Sequence, residues 1–320
     1  MIPLPLNIQT LIADLAQSVN DDVRAVSVHT KTVADGKYLY AREKIGRRFR
    51  DRSLGPSDSP DAQEAADQIR SAGKRARARR KLVTLIKRSG VPAPSTEMSR
   101  LIEAISGSGL FARGMVLVGT GAYQVYPSVV GAILASSSLQ TQDGDLAVAR
   151  VAIESDLSLL EILQQADPTF RPVPGLDAGA PAKKFVADSG FAVEVLTPVR
   201  SRSDGDLTLV PGLAAAAIPL KFLHYLVQEA IPAIALIGSG VPVTVPQPAR
   251  FAVHKLIVAQ RRPVGSLKRQ KDLLQAAELV AALARADPHA IEDALEDARD
   301  RGPSWRRLVD DGLHALEQQG

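Results

Sequence analysis

The run Val116-Leu-Val-Gly-Thr120, with Asp143-Gly-Asp145 about two dozen residues beyond it, constrains this chain most. A short apolar run reads as a buried strand, and Gly119-Thr120 ends it and opens a helix. The two aspartates head a second apolar run, Leu146-Ala-Val148. Residues i and i+2 of a strand point to one face, roughly 6–7 Å apart, which sets Asp143 and Asp145 side by side as ligands for divalent cations. A Gly-Thr turn at a helix start offers backbone N–H groups and the positive helix end to phosphate oxygens. The competing reading is a solvated turn, because Gln142-Asp-Gly-Asp145 is also good hairpin chemistry.

Composition narrows the rest. The chain has 320 residues, 45% hydrophobic and 23% charged, so it can build a sizeable core and is not wholesale disordered. It has no cysteine, which excludes disulfides, zinc–thiolate sites and thiol catalysis and fits a reducing cytoplasmic setting. Aromatic content of 4% argues against stacking platforms for single strands. Met1-Ile-Pro-Leu-Pro-Leu6 lacks a basic start and an adequate apolar run, so no signal peptide is expected. The most apolar stretch, 213–245, is interrupted by Lys221, His224, Glu229 and prolines, and reads as interior strands and a helix, not a membrane span.

Along the chain, the pattern predicts helices over 6–19 and 60–88, a Pro-rich linker at 92–96 and a further helix over 97–106. Strands are expected at 115–118, 145–151 and 191–197, with a helix at about 120–134 and a Pro/Gly/Asp-rich loop at 166–183. Residues 201–206 read as a turn. Residues 231–237 and 241–245 flank Gly238-Ser-Gly240 as a hairpin. From Pro248 onward four helices follow, at 248–261, 266–286, 288–300 and 303–318. The expected organisation is α+β: a mostly helical region over 1–110, a small mixed-sheet core over 111–247, and a helical region over 248–320.

Glu194 lies between Val193 and Val195, so alternation turns it away from those valines. If it shares the face of Asp143 and Asp145, three carboxylates converge, and a buried strand seldom spends a charge without a partner or metal. Metal beside phosphate is what phosphoryl and nucleotidyl transfer requires.

The order Gly119-Thr120, Asp143-x-Asp145 and a later acidic strand residue resembles the nucleotidyltransferase fold of the DNA polymerase beta superfamily. More narrowly, the chain resembles a bacterial family of nucleotidyltransferase-fold proteins without an assigned substrate. The resemblance runs through Tyr38-Leu-Tyr40, Arg52-Ser-Leu-Gly55 and Val118-Gly-Thr-Gly-Ala-Tyr123. It continues in Thr141-Gln-Asp-Gly-Asp-Leu146, Val193-Glu-Val-Leu-Thr-Pro198 and Pro248-Ala-Arg-Phe-Ala-Val-His-Lys255. It implies that Gly119 and Thr120 contact a nucleoside triphosphate and that Asp143 and Asp145 bind two magnesium ions. The third carboxylate, Glu194, would join them and help to activate the attacking hydroxyl. In the superfamily the third acid is usually Asp, and a bulky apolar residue usually stands where this chain has Gly144.

Two cationic groups complete the expectation. Lys255 and Lys271 sit on predicted helices and are candidates to hold nucleotide phosphates, Lys255 being favoured by the resemblance. Arg250, His254 and Arg52 are weaker candidates. The run 74–88 carries eight Lys and Arg candidates for phosphate contact, from Lys74 to Arg88, and reads either as a solvated helix or as an arm for RNA. The alternative to a magnesium-dependent enzyme is a binding or regulatory protein on a degenerate scaffold, as in a toxin–antitoxin or phage-defence component.

Overall fold

The structure, a computed structural model, describes residues 1–19, 26–33, 36–45, 48–138, 143–148, 158–175, 180–199 and 208–318. The expected turn at 201–206, the end of the strand expected at 145–151 and part of the loop at 166–183 lie outside these residues.

The chain begins with β1 (Ile2–Pro3) and α1 (Leu6–Ser18). An antiparallel meander follows, β2 (Val26–Val33), β3 (Gly36–Ile45) and β4 (Arg48–Pro56). The region read as mostly helical therefore also contains a three-stranded sheet. Only alternate residues of these strands are apolar, and Val28, Leu39 and Leu54 pack on Ala62 and Ala66 of α2 (Pro60–Arg88). The other face carries His29, Lys31, Tyr40, Arg42 and Asp51, and that polar half is why the strand signal in sequence is faint. Helix α2 takes Pro60 at its first position and ends at Ser89-Gly90, as its punctuation requires. Its C-terminal half packs Val83 and Ile86 with Leu15 of α1. Arg79, within the basic run, is buried and donates to the Ser18 carbonyl at 2.9 Å, so it is structural.

Helix α3 (Thr96–Gly107) is capped by Ser95 and buries Met98, Leu101, Ile102 and Ile105 in the main core. Helix α3 therefore shares the core of the unit read over 111–247. The chain continues through β5 (Met115–Val118), α4 (Gly119–Val130), β6 (Ala132–Ile133) and β7 (Asp143–Val148). Then come α5 (Leu159–Ala166), β8 (Arg171–Pro172), β9 (Lys184–Val186), β10 (Ala192–Pro198), β11 (Thr208–Val210) and β12 (Ala215–Leu220). The sheet runs β11-β12-β10-β7-β5, with β10 parallel to both β7 and β12 and β5 antiparallel to β7. One edge of β10 is shared: β9 pairs antiparallel with residues 192–194 and β12 with residues 196–198. The span read as a loop at 166–183 thus includes β8 and leads directly into β9.

Helix α6 (Leu223–Val227) leads to the hairpin β13 (Ile231–Ala235) and β14 (Val241–Val245), whose turn places Gly238 and Gly240 at positive φ. Four helices close the chain: α7 (Pro248–Ala259), α8 (Leu267–Ala286), α9 (Pro288–Asp300) and α10 (Pro303–Glu317). All four fall where the sequence places them. The architecture is α+β with a mixed sheet. Among the described residues, no helix is long and apolar enough to cross a membrane.

Candidate functional site

Strand β5 passes into α4 with no intervening residue, and Gly119 makes the corner at φ +60°. Only glycine adopts that region without strain, and a second constraint acts on the same residue. A Cβ there would stand 2.2 Å from Asp145 Oδ2, so the corner closes directly on the carboxylate. Asp145 pairs with Val118 on one side and with Glu194 on the other. Laterally paired residues of neighbouring strands share a face, about 4.8 Å apart. Asp145 and Glu194 are therefore side by side, with Asp143 two residues along the same strand and opposite Ala192. Val193 and Val195 are fully buried on the other face, as alternation requires.

Gly144, the departure from the usual pattern, has a packing cause. Its position on the opposite face of β7 is covered by α3, and a Cβ would come within 2.6 Å of Leu101 Cδ2 and 3.3 Å of the Phe191 ring. The Leu101 side chain occupies the space a side chain at 144 would need, so the glycine belongs to the fit between α3 and the sheet, and a larger residue there requires Leu101 to shift.

The electrostatics follow from this crowding. The Asp145 carboxyl is pushed up to about 6, first by burial, then by the negative charges of Glu194 and Asp143. Lys255 and Lys271 act in the opposite sense. Lys271, on α8, donates to Thr120 Oγ1 at 3.0 Å, which ties a cation to the start of α4. Burial and then Lys255 lower its ammonium below the ordinary lysine value. Lys255, on α7, pairs at 2.6 Å with Asp272, a nearly fully buried acid that also holds Arg262. Lys184, which the sequence reading passed over, pairs at 2.8 Å with Glu194.

A cavity of about 530 Å³ opens beside this cluster. Gly119 and Asp145 lie in its wall with Lys255, Lys221, Arg261 and Arg262, and Phe222, Leu226 and Phe251 supply an apolar side. Phe251, His254, Lys255 and Val258 all face it from α7, at helical spacing. His254 is neutral, held down to about 3 by burial first and by Lys255, and its Nδ1 has no hydrogen-bond partner among the described residues. Phe222 takes φ +68°, a conformation costly for a bulky residue, at the corner between β12 and α6.

The structure thus brings Asp143, Asp145, Glu194, Gly119, Thr120, Lys255 and Lys271 to one place. Arg250 is directed elsewhere, to Asp297 at 2.5 Å and Glu229 at 3.0 Å, and Arg52 stands on β4 of the N-terminal sheet. Lys184 had a readable signal: Asp188-Ser-Gly190 is hairpin chemistry, and Gly190 takes φ +84° in the turn that folds β9 back on β10. Lys221, Arg261 and Arg262 carried no spacing that linked them to the aspartates.

A divalent ion fits the Asp143–Asp145 pair, where like charges are gathered beside each other and raise the Asp145 carboxyl. A cage of three acids around one ion is not what the side chains form: among the described residues, no three His, Cys, Asp or Glu side chains are grouped as ligands of one ion.

A family model described as nucleotidyltransferase matches residues 96–300. No curated protein matches the chain. Among solved structures, an antigenic nucleotidyltransferase-like protein from Paracoccidioides brasiliensis is 16% identical over 69% of this chain and 95% of its own, with a TM-score of 0.36, too low to carry an argument. The family match spans well over half of the sequence, from the first residue of α3 to the end of α9, and the chain belongs to the nucleotidyltransferase family.

Proposed function

We propose that this protein is a magnesium-dependent nucleotidyltransferase that moves a nucleoside monophosphate from a nucleoside triphosphate to a hydroxyl acceptor. The observation that carries the reading is the closure of Gly119 on Asp145, with Glu194 beside it in register and a cation-lined cavity opening at the same place. Asp143 and Asp145 are the residues that would hold the ion. When bound, magnesium supplies charge stabilisation at the phosphoryl oxygens and orients the triphosphate.

The chain's own groups divide the remaining work. The start of α4 presents backbone N–H groups and the Thr120 hydroxyl to phosphate oxygens, with Lys271 fixed at that hydroxyl. Lys255, Arg261 and Arg262 add positive charge in the cavity wall, where the triphosphate's negative charge moves onto the leaving group. The apolar side, Phe222, Leu226 and Phe251, suits the base. The acceptor oxygen forms a bond to the alpha phosphorus, the bond to pyrophosphate breaks, and pyrophosphate leaves. Glu194, half-exposed at the end of the carboxylate row, takes the acceptor's proton; Lys184 binds its Oε1 and so fixes its orientation.

The test is transfer of label from each alpha-phosphate-labelled nucleoside triphosphate, with magnesium and a total cell extract. RNA is the first acceptor class to score, because α2 exposes Lys74, Arg77, Arg80, Lys81, Lys87 and Arg88. We expect label in one acceptor fraction, and its loss by at least about 100-fold in Asp143→Ala and Asp145→Ala with the fold intact. No transfer from any nucleotide, with folded wild-type protein, would sink the reading in favour of a degenerate scaffold.

A further inference from the structure

The hairpin of β9 and β10 sets Lys184 directly opposite Glu194. Residues opposed across an antiparallel ladder point to the same face, so Lys184 joins the face that carries Glu194 and, through β7, Asp145. Its Nζ donates to Glu194 Oε1 at 2.8 Å. The fields of Asp143 and Asp145 also reach it, and all three acids stabilise its ammonium, Glu194 most. Of the other cations near the row, Lys255 shares the charge of Asp272 with Arg262, while Lys271 donates to the uncharged Thr120 hydroxyl and keeps its charge within the field of Asp145. Lys184 makes its contact with a member of the carboxylate row itself.

Charge balance then decides how many ions the row can take. One divalent ion together with the Lys184 ammonium already offsets three carboxylates, and Lys271 adds further positive charge nearby. Two divalent ions beside Lys184 would leave excess positive charge within the roughly 4 Å at which paired catalytic ions stand, where repulsion is strong. The grouping of the acids points the same way, since Glu194 is held by Lys184 and does not complete a three-ligand cage with the aspartates.

We propose that Lys184 is a resident cation of this site: its ammonium takes the place at Glu194 that a second divalent ion would fill, so the row accepts one ion, on Asp143 and Asp145. This inference rests on the metal-dependent reading above.

The test counts Mn2+ bound to the full-length protein by the electron paramagnetic resonance of the free ion, with no nucleotide present. Wild type is expected to bind one ion and Lys184→Met two. The double variant Lys184→Met/Glu194→Gln is expected to return to one, because the second ion needs the freed Glu194. Lys184→Arg keeps the charge and should bind one. Two ions on wild type, or one on both wild type and Lys184→Met, overturns the proposal while leaving the metal-dependent reading in place. Unchanged binding in Asp145→Asn, or no ion on wild type, overturns that reading itself and the inference with it. The wild-type count decides against the proposal even if a variant fails to fold.

Discussion

At the scale of single residues, two glycines and one aspartate shape the site. Gly119 is required twice over, by its positive φ and by the approach of Asp145 Oδ2 to the space a Cβ would fill. Gly144 makes room for Leu101 of α3 on the opposite face of the strand, so the residue that looks like a weakness in the sequence is part of the packing. Asp145 bears the cost of the crowding. Its carboxyl ionises at 3.8 in an ordinary setting and at about 6 in the folded chain. Between those values the folded protein holds a proton that the unfolded chain has lost, so rising pH favours unfolding through that window and has no further effect through this group above it. Asp145→Asn should therefore stabilise the metal-free protein, with a gain that grows from pH 4 to pH 6 and is flat beyond. Urea midpoints of both proteins in chelator across that range provide the measurement; a gain independent of pH would count against the assignment.

At the scale of elements, α8 fixes the start of α4 from outside the sheet. Lys271 reaches Thr120, and two turns later Glu278 accepts from the Tyr123 hydroxyl at 2.5 Å and the Ser136 hydroxyl at 2.6 Å. The Ser136 N–H also points to this carboxylate at 3.2 Å. Glu278 is buried and satisfied by these neutral donors, while Tyr123 is raised far above its ordinary value, first by burial and then by this hydrogen bond. Removing the acceptor leaves several buried donors unpaired, each costing about 1–3 kcal/mol. Glu278→Ala should lower stability by about 2–4 kcal/mol, and Glu278→Gln by clearly less, since the amide keeps one accepting oxygen. Chemical denaturation of both variants checks this; equal losses would mean that the network adds nothing beyond volume.

At the scale of the whole molecule, the carboxylate face of the sheet and the C-terminal helices line one cavity. The sheet brings the carboxylates and the Gly-Thr corner, and α7 with the segment after it brings Phe251, His254, Lys255, Arg261 and Arg262 to the cavity. The chain has one tryptophan, Trp305 on α10, whose ring meets Phe222 edge-on at 4.7 Å and Tyr225 at 5.6 Å. Phe222 in turn lines the cavity. A nucleoside triphosphate seated there should change the fluorescence of Trp305 in a saturable way, and Phe222→Ala should remove most of that response. Binding seen by dialysis without any fluorescence change would show that the nucleotide sits elsewhere.

The sequence by itself determined α3, the three strands that carry the Gly-Thr corner and the acids, the β13-β14 hairpin, the four closing helices, and the residues able to carry the chemistry. Those features are local: a Gly-Thr break after an apolar run, acids at strand positions of fixed parity, caps and prolines at helix ends. It did not determine the β2-β3-β4 sheet, whose strands are apolar on one face only, and it marked the hairpin that delivers Lys184 only at its Asp188-Ser-Gly190 turn. Tertiary structure alone decided which acids become neighbours, because strand pairing joins Asp145 to Glu194 across a long insertion and no spacing encodes the register. It also decided which cations serve the site. Lys255, Lys271 and Arg262 are sorted by their shared or separate contacts with Asp272 and Thr120, while Arg250, on the same helix as Lys255, turns to Asp297. Such choices are set by packing between elements far apart in the chain, and they are where the chemistry of this protein was fixed.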